Sequence, residues 1–289
     1  MSVLAIALLA LQANAPPATD IYVADLRVSN RKVSVGPPVN VTARPGYDNQ
    51  PFFLHDGRAF LYTSARDSQT DIYRYDLSRK VSVQVTATRE SEYSPTPLPD
   101  GTGFSVIRVE ADSTQRLWAF NLDGSGARLV LDAIKPVGYH AWADDHTLVL
   151  FVLGTPSTLQ IADARAPAAH GTMIARDIGR SLQKVPGRAA VSFVQRDSVN
   201  GNWLGQVDVA TRQVTKLVKA PAGADFFVWT PEGIVLTASG TALYQWDPQQ
   251  PGDWTKIADL AAAGLTNVTR LAISPKGDRI AIVAVPQAP

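Results

Sequence analysis

Three features of this 289-residue sequence predict an all-β chain folded as a six-bladed β-propeller, with four antiparallel strands per blade. Tight-turn sequences end at Gly57, Gly101, Asp145, Gly187, Gly233 and Gly277, at steps of 44, 44, 42, 46 and 44 residues. Between successive turns lie four short segments rich in β-branched and aromatic residues. The phrase TDIYVADL at 19–26 returns as QTDIYRYDL at 69–77, so the chain opens on a third strand that lacks its first two. A period of roughly 40–50 residues with four strands per unit is the signature of a propeller. The missing pair stands at the other end, so a composite blade from both termini is expected to close the ring.

The first fifteen residues stand apart. MSVLAIALLALQANA at 1–15 reads as a signal peptide: Val3 to Leu11 is apolar, and Ala13-Asn14-Ala15 has the small-x-small form of a cleavage site, although no Lys or Arg precedes the apolar run. That run is too short for a membrane-spanning helix, which takes about 20 residues. Residues 16–289 are then expected to form a single propeller domain, periplasmic or secreted, without a transmembrane segment. A closed ring with no free edge is expected to be a monomer.

In order, TDIYVADL is the third strand of the composite blade and VNVT at 39–42 its fourth. After each landmark turn comes an apolar second strand: AFLYTS, FSVIRV, TLVLFVL, AAVSFV, IVLTAS and finally RIAIVAV. Third strands follow as DIYRYDL, RLWAFNL, TLQIADA, NWLGQVDV and ALYQWDP, and fourth strands such as VSVQVT, ARLVLD and QVTKLV close the units. Runs this short, bounded by Gly, Pro, Asn and Asp, are strands rather than helices. One turn of helix is expected between Asp259 and Leu265. Trp118, Trp142, Trp203, Trp229 and Trp246 fall within strand patterns and read as filling between blades, whereas Trp254 lies in a turn-rich segment.

The stretch NVTARPGYDNQPFFLHDGRAFLYTSARDSQTDIYRYDL resembles the repeat of the TolB-type, WD40-like propeller family: a threonine strand end, Pro, an S-P-D-G-like turn, an apolar strand and D-I-Y-x-x-D-L. SPTPLPDGTGFSVIRVEADSTQRLWAFNLDGSGARLV carries the pattern again, and SPKGDRIAIV its turn; the resemblance spans about residues 20–285 and is weakest over 132–215. It implies the fold and is nearly silent on function. TolB-type proteins place an α/β domain before the propeller, and prolyl-oligopeptidase-like enzymes a hydrolase domain beside it; the sequence offers a propeller alone.

Charge and composition remove several functions. With 27 Lys and Arg against 26 Asp and Glu, no global field recruits nucleic acid or a membrane surface. The absence of cysteine removes disulfides, zinc ribbons and thiol catalysis. The four histidines, His55, His140, His146 and His170, form no HExxH or other local metal pair, and there is no GxSxG elbow or phosphate loop. No catalytic residue and no cofactor is assigned, although a divalent metal is compatible with the fold. Asn121, Asp123 and Ser125, with Gly126 and Asp132, echo a calcium loop. They also stand where a third-to-fourth-strand turn needs Asn, Asp and Gly, which is the preferred reading. The repeated Asp67-Ser68, Asp112-Ser113 and Asp197-Ser198 read as self-bonded turns.

The remaining candidates are positional. Inner strands line the channel of a propeller, and the segments leading into them carry Tyr47, Asp48, Asn49, Glu92, Tyr93, Tyr139, His140, Arg180, Asp225 and Arg270. That mixture suits a polar ligand. The leading expectation is a non-catalytic module binding a protein, peptide or glycan at one channel mouth. The alternatives are a propeller enzyme, either a metal-assisted polysaccharide lyase or a lactonase, and a purely structural scaffold.

Overall fold

The computed structural model describes residues 17–66 and 69–286, so the leader-like segment lies outside the described residues. The chain begins with β1 (Asp20–Ser29), β2 (Lys32–Val35) and β3 (Val39–Asn40). Five continuous blades follow. They are β4 (Asp48–Phe53), β5 (Ala59–Arg66), β6 (Gln69–Asp76) and β7 (Val81–Gln84); β8 (Ser91–Pro97), β9 (Gly103–Val109), β10 (Gln115–Asn121) and β11 (Arg128–Leu129); and β12 (Val137–Trp142), β13 (Thr147–Val152), β14 (Thr158–Asp163) and β15 (Thr172–Arg176). The fourth holds β16 (Ile178–Lys184), β17 (Ala190–Gln195), β18 (Trp203–Asp208) and β19 (Val214–Lys219), and the fifth β20 (Phe227–Trp229), β21 (Val235–Ser239), β22 (Ala242–Trp246) and β23 (Thr255–Asp259). A 3₁₀ turn at Leu260–Ala263, where a helical turn is expected, leads to β24 (Leu265–Ile273) and β25 (Arg279–Pro286).

All pairings within these sheets are antiparallel, and β1 inserts beside β25, Tyr22 opposite Ile282 and Val23 opposite Ala281. The composite blade therefore forms as the repeat predicts, with β24 innermost. Its outer side carries the expected fourth strand at 39–40 and one strand that was not expected. β1 runs ten residues, turns at Asn30 and Arg31 with φ of 48° and 59°, and returns as β2, while β3 pairs with the other half of β1. Positive φ at both central residues is the geometry of a tight hairpin turn. The sequence at 27–38 lacks the repeat's wording, so nothing in the period announces this hairpin. Arg31 forms a two-pronged ion pair with Asp247 of the fifth blade, and Gln245 bonds Val33 N and Arg31 O, so the hairpin clasps its neighbour. The Arg31 guanidinium holds the Asp247 carboxyl below its ordinary range.

The landmark turns are real. Gly57, Gly101, Gly187, Gly233 and Gly277 have φ between 67° and 79°, a conformation that side chains other than Gly strain to adopt. Burial explains the wording of the second strands. β5, β9 and β17 are buried along nearly their whole length because both faces of a central strand meet another blade. Six apolar clusters form, one for each of the six blade interfaces. Ile282, fully buried, lies in the cluster joining the composite blade to the fifth.

Replacing Ile282 with Ala should therefore cost about 2–5 kcal/mol in chemical denaturation. Val83→Ala, at a position 59% exposed on β7, should change stability by less than about 0.5 kcal/mol.

Candidate functional site

The inner strands β4, β8, β12, β16, β20 and β24 line a central channel, and five of them break register near one mouth. In β4 the break is Gln50-Pro51 and in β8 Ser94-Pro95, with φ of 57° at Gln50 and 53° at Ser94. A bulge of this kind bends the strand and re-aims the side chains on either side. It also joins blades: Gln50 Oε1 accepts from Thr63 Oγ1 and from Ser94 N of the next blade, each at 2.7 Å.

The channel holds two adjoining chambers. The narrow one, about 80 Å³, is walled by Tyr139, Arg180, Phe226 and Arg270. The wide one, about 400 Å³, lies toward the opposite mouth among Phe52, His55, Trp142, Asp145, Lys184 and Trp229. His140 borders both. Arg270 is held in place: its guanidinium lies 3.9 Å from the centre of the Phe226 ring and donates from Nη2 to Tyr139 Oη at 2.9 Å. Tyr47 is part of the same cluster. Burial pushes its phenol up to about 12, against the opposing pull of Arg270 and with help from Tyr139 and Tyr93.

Not all ten candidate residues reach the open channel. Asp48 is fully buried in the wall and pairs with Arg44 at 2.7 Å, while its backbone N and O bond Thr19. Asn49 is buried beside it, its side-chain Oδ1 accepting from Gln50 N. Glu92 is fully buried between Thr88 Oγ1 at 2.5 Å and Arg108 Nε at 3.1 Å. Burial pushes the Glu92 carboxyl up more than Thr88 and Arg108 draw it down. Tyr93 packs half-buried against the interface of the second and third blades. Asp225 is exposed and does not line either chamber. Tyr139, His140, Arg180 and Arg270 do meet, around the narrow chamber. The period identifies the inner strands, but each bulge decides which side of its own kink faces the axis.

The calcium-like loop is a turn. Asp123 Oδ1 accepts from Ser125 N and Oγ at 2.9 and 2.6 Å, Asn121 Nδ2 donates to Ser125 Oγ, and Asp132 lies 3.5 Å from Arg116. Asp112 and Asp197 accept from backbone N–H groups two residues on, and Asp67-Ser68 lies outside the described residues. Among the described residues no three His, Asp or Glu side chains gather in one place. His55 Nε2 bonds Leu98 O at 2.8 Å, and His146 faces Asp144.

The wide chamber is what positional reasoning missed. Trp142 Nε1 donates to Ser105 Oγ and Trp229 Nε1 to Ser192 Oγ, each bond reaching back to the preceding blade across 37 residues. That repeated Trp-to-Ser spacing is a sequence signal for indoles anchored at the channel wall. Ser105 Oγ also lies 2.7 Å from His140 Nε2 and 3.2 Å from Thr96 O, so the hydroxyl is enclosed and fully buried. His140 Nδ1 has no partner among the described residues, and burial holds the imidazole neutral, its pKa lowered to about 3.

No protein-family model matches the chain, and no curated protein matches its sequence. Among solved structures it is similar to a TolB-type protein of Agrobacterium tumefaciens, with a TM-score of 0.69 at 15% identity over 92% of this chain and 98% of that one. That likeness is one of fold. A TolB of Acinetobacter baumannii gives a TM-score of 0.59 at 15% identity over 93% of this chain, which spans 64% of that protein's chain. An oligogalacturonate lyase in complex with manganese gives 0.53 at 14% identity, covering 94% of this chain and 98% of that one. Identities this low speak to fold and leave function to the site.

A neutral His140 gives a pH signature. Below about 6.5 the unfolded chain binds a proton that the native chain refuses until about 3, so stability falls as pH falls through that window. Between pH 7.5 and 5, denaturation of the wild type should show about 2 kcal/mol more loss than His140→Gln, which lacks the titrating group.

Proposed function

We propose that this chain is an exported, non-catalytic binding propeller that takes a segment of protein, peptide or glycan at a mouth of its central channel. The observation that carries the reading is the channel itself, a wide chamber with indole, phenyl and proline walls narrowing to a chamber edged by two arginines. Concave, largely apolar surface with a few placed polar groups is what ligand sites are made of. Phe52 is 40% exposed although it sits on an inner strand, and an apolar ring open to a channel gains by being covered.

The rival reading, a metal-assisted lyase or lactonase, needs carboxylates free to hold an ion or move a proton. The two buried carboxylates of the inner strands, Asp48 and Glu92, are engaged by Arg44 and Arg108 instead. Their engagement supports binding over catalysis. Placement in the periplasm or outside the cell rests on the leader-like segment at 1–15, and a monomer on the closure of the ring.

Two outcomes are expected. Screening the purified chain against peptide and oligosaccharide arrays should yield ligands whose affinity falls at least tenfold in Phe52→Ala and in Lys184→Glu; ligands indifferent to both substitutions would sink the channel reading. Amino-terminal sequencing of the exported protein should begin at Pro16, and an intact Met1 in the cytoplasm would overturn the export reading.

A further inference from the structure

We infer that the narrow chamber is a carboxylate site, and that the group it takes is the carboxy-terminal carboxylate of a peptide ligand. The inference rests on the binding reading above and specifies one end of the ligand. Its basis is a charge imbalance. Two guanidinium groups, Arg180 and Arg270, line the chamber, and no Asp or Glu lines it. Elsewhere the chain pairs its sheltered arginines: Arg31 with Asp247, Arg44 with Asp48, Arg108 with Glu92, Arg116 with Glu110. Arg270, half-buried, is sheltered like these yet pairs with no carboxylate among the described residues, and the exposed Arg180 beside it pairs with none either.

Arg270 is also preorganised. The Phe226 face beneath it and the Tyr139 hydroxyl beside it fix the plane of the guanidinium while using only one of its five N–H donors on the protein. A fixed planar fork is the arrangement that binds a carboxylate through two parallel bonds. Tyr139 and Phe226 shield the site from water on one side, which strengthens the attraction. Arg180, more exposed, stands at the rim where it draws the anion in.

The chamber's volume favours one source of carboxylate. A uronate sugar carries its carboxylate on a ring comparable in width to the phenyl groups that already wall the chamber. A peptide terminus presents two oxygens at the tip of a slim main chain, which suits a space of about 80 Å³. The peptide behind that tip has the larger chamber of about 400 Å³ next to it, across the shared border at His140.

The test uses the full chain at constant ionic strength, with three probes: acetyl-triglycine, its carboxamide, and glucuronate, each titrated by calorimetry and by thermal unfolding. The acid peptide should bind and raise Tm, and the carboxamide should bind at least tenfold more weakly. Arg180→Gln should weaken the acid peptide at least threefold, Arg270→Lys less than Arg270→Gln, and the double Gln variant should abolish the difference between acid and amide. Because Arg180 lies at the surface, its variant stays informative even if changes at Arg270 disturb folding. Equal binding of acid and amide to the wild type would overturn the inference, as would an acid preference that survives the double variant. Glucuronate binding more tightly than the peptide would overturn the peptide assignment. If array ligands still bind through Phe52 while no carboxylate probe does, this inference fails alone; if both fail, the binding reading falls with it.

Discussion

Everything in this molecule depends on closure of a ring in which every blade is packed on both sides. Each sheet presents two apolar faces, and each face has only its neighbour to cover it, so six clusters must form together for any one to be dry. The β1–β25 pairing is where the ring is completed. It converts what would be two open edges into an ordinary ladder inside one blade. The apolar runs of the second strands and the large aromatics between blades, such as the stacked Phe104 and Phe120, are the composition that this double packing demands.

Closure also determines what is left over for function. With the blade faces buried and the outer strands solvated, the axis is the place where six inner strands converge without covering one another. The bulges near one mouth then set its profile. Gln50 and Ser94 kink their strands at the same level, and Asn267, with φ of 45°, does so in the composite blade. On that side Tyr139, Arg180 and Arg270 line the narrow chamber. The channel is wide on the other, where the inner strands hand over to the landmark turns.

The fold was legible because it is written several times. A turn Gly with positive φ, an apolar second strand and a D-I-Y-like third strand recur at nearly constant spacing, and the split phrase at the amino terminus even declares the closure. The site was only half legible, for a matching reason. Side-chain direction in a strand alternates with period two, and one extra residue reverses it. Asp48, Asn49 and Glu92 share inner strands with the channel residues, yet they point into the wall, where Thr19, Arg44 and Arg108 receive them. Those partners come from other strands or from the loop before β4, so spacing alone does not reveal the pairing. The β1–β2 hairpin was illegible in the same way, since Asn30 and Arg31 belong to no repeat.

That hairpin has a role in time as well as in space. Synthesis runs from β1 to β25, so the strand made first has to wait for the strand made last, on the order of tens of seconds at ribosomal rates. During that interval the edge of β1 that β25 will cover, lined by Ile21 and Val23, would be an invitation to any other unfinished chain. β2 gives β1 a local partner within a few residues, one that needs no part of the unfinished ring. What ends as a clasp on the fifth blade pairs Leu26–Ser29 early and leaves Asp20–Asp25 as the stretch that waits.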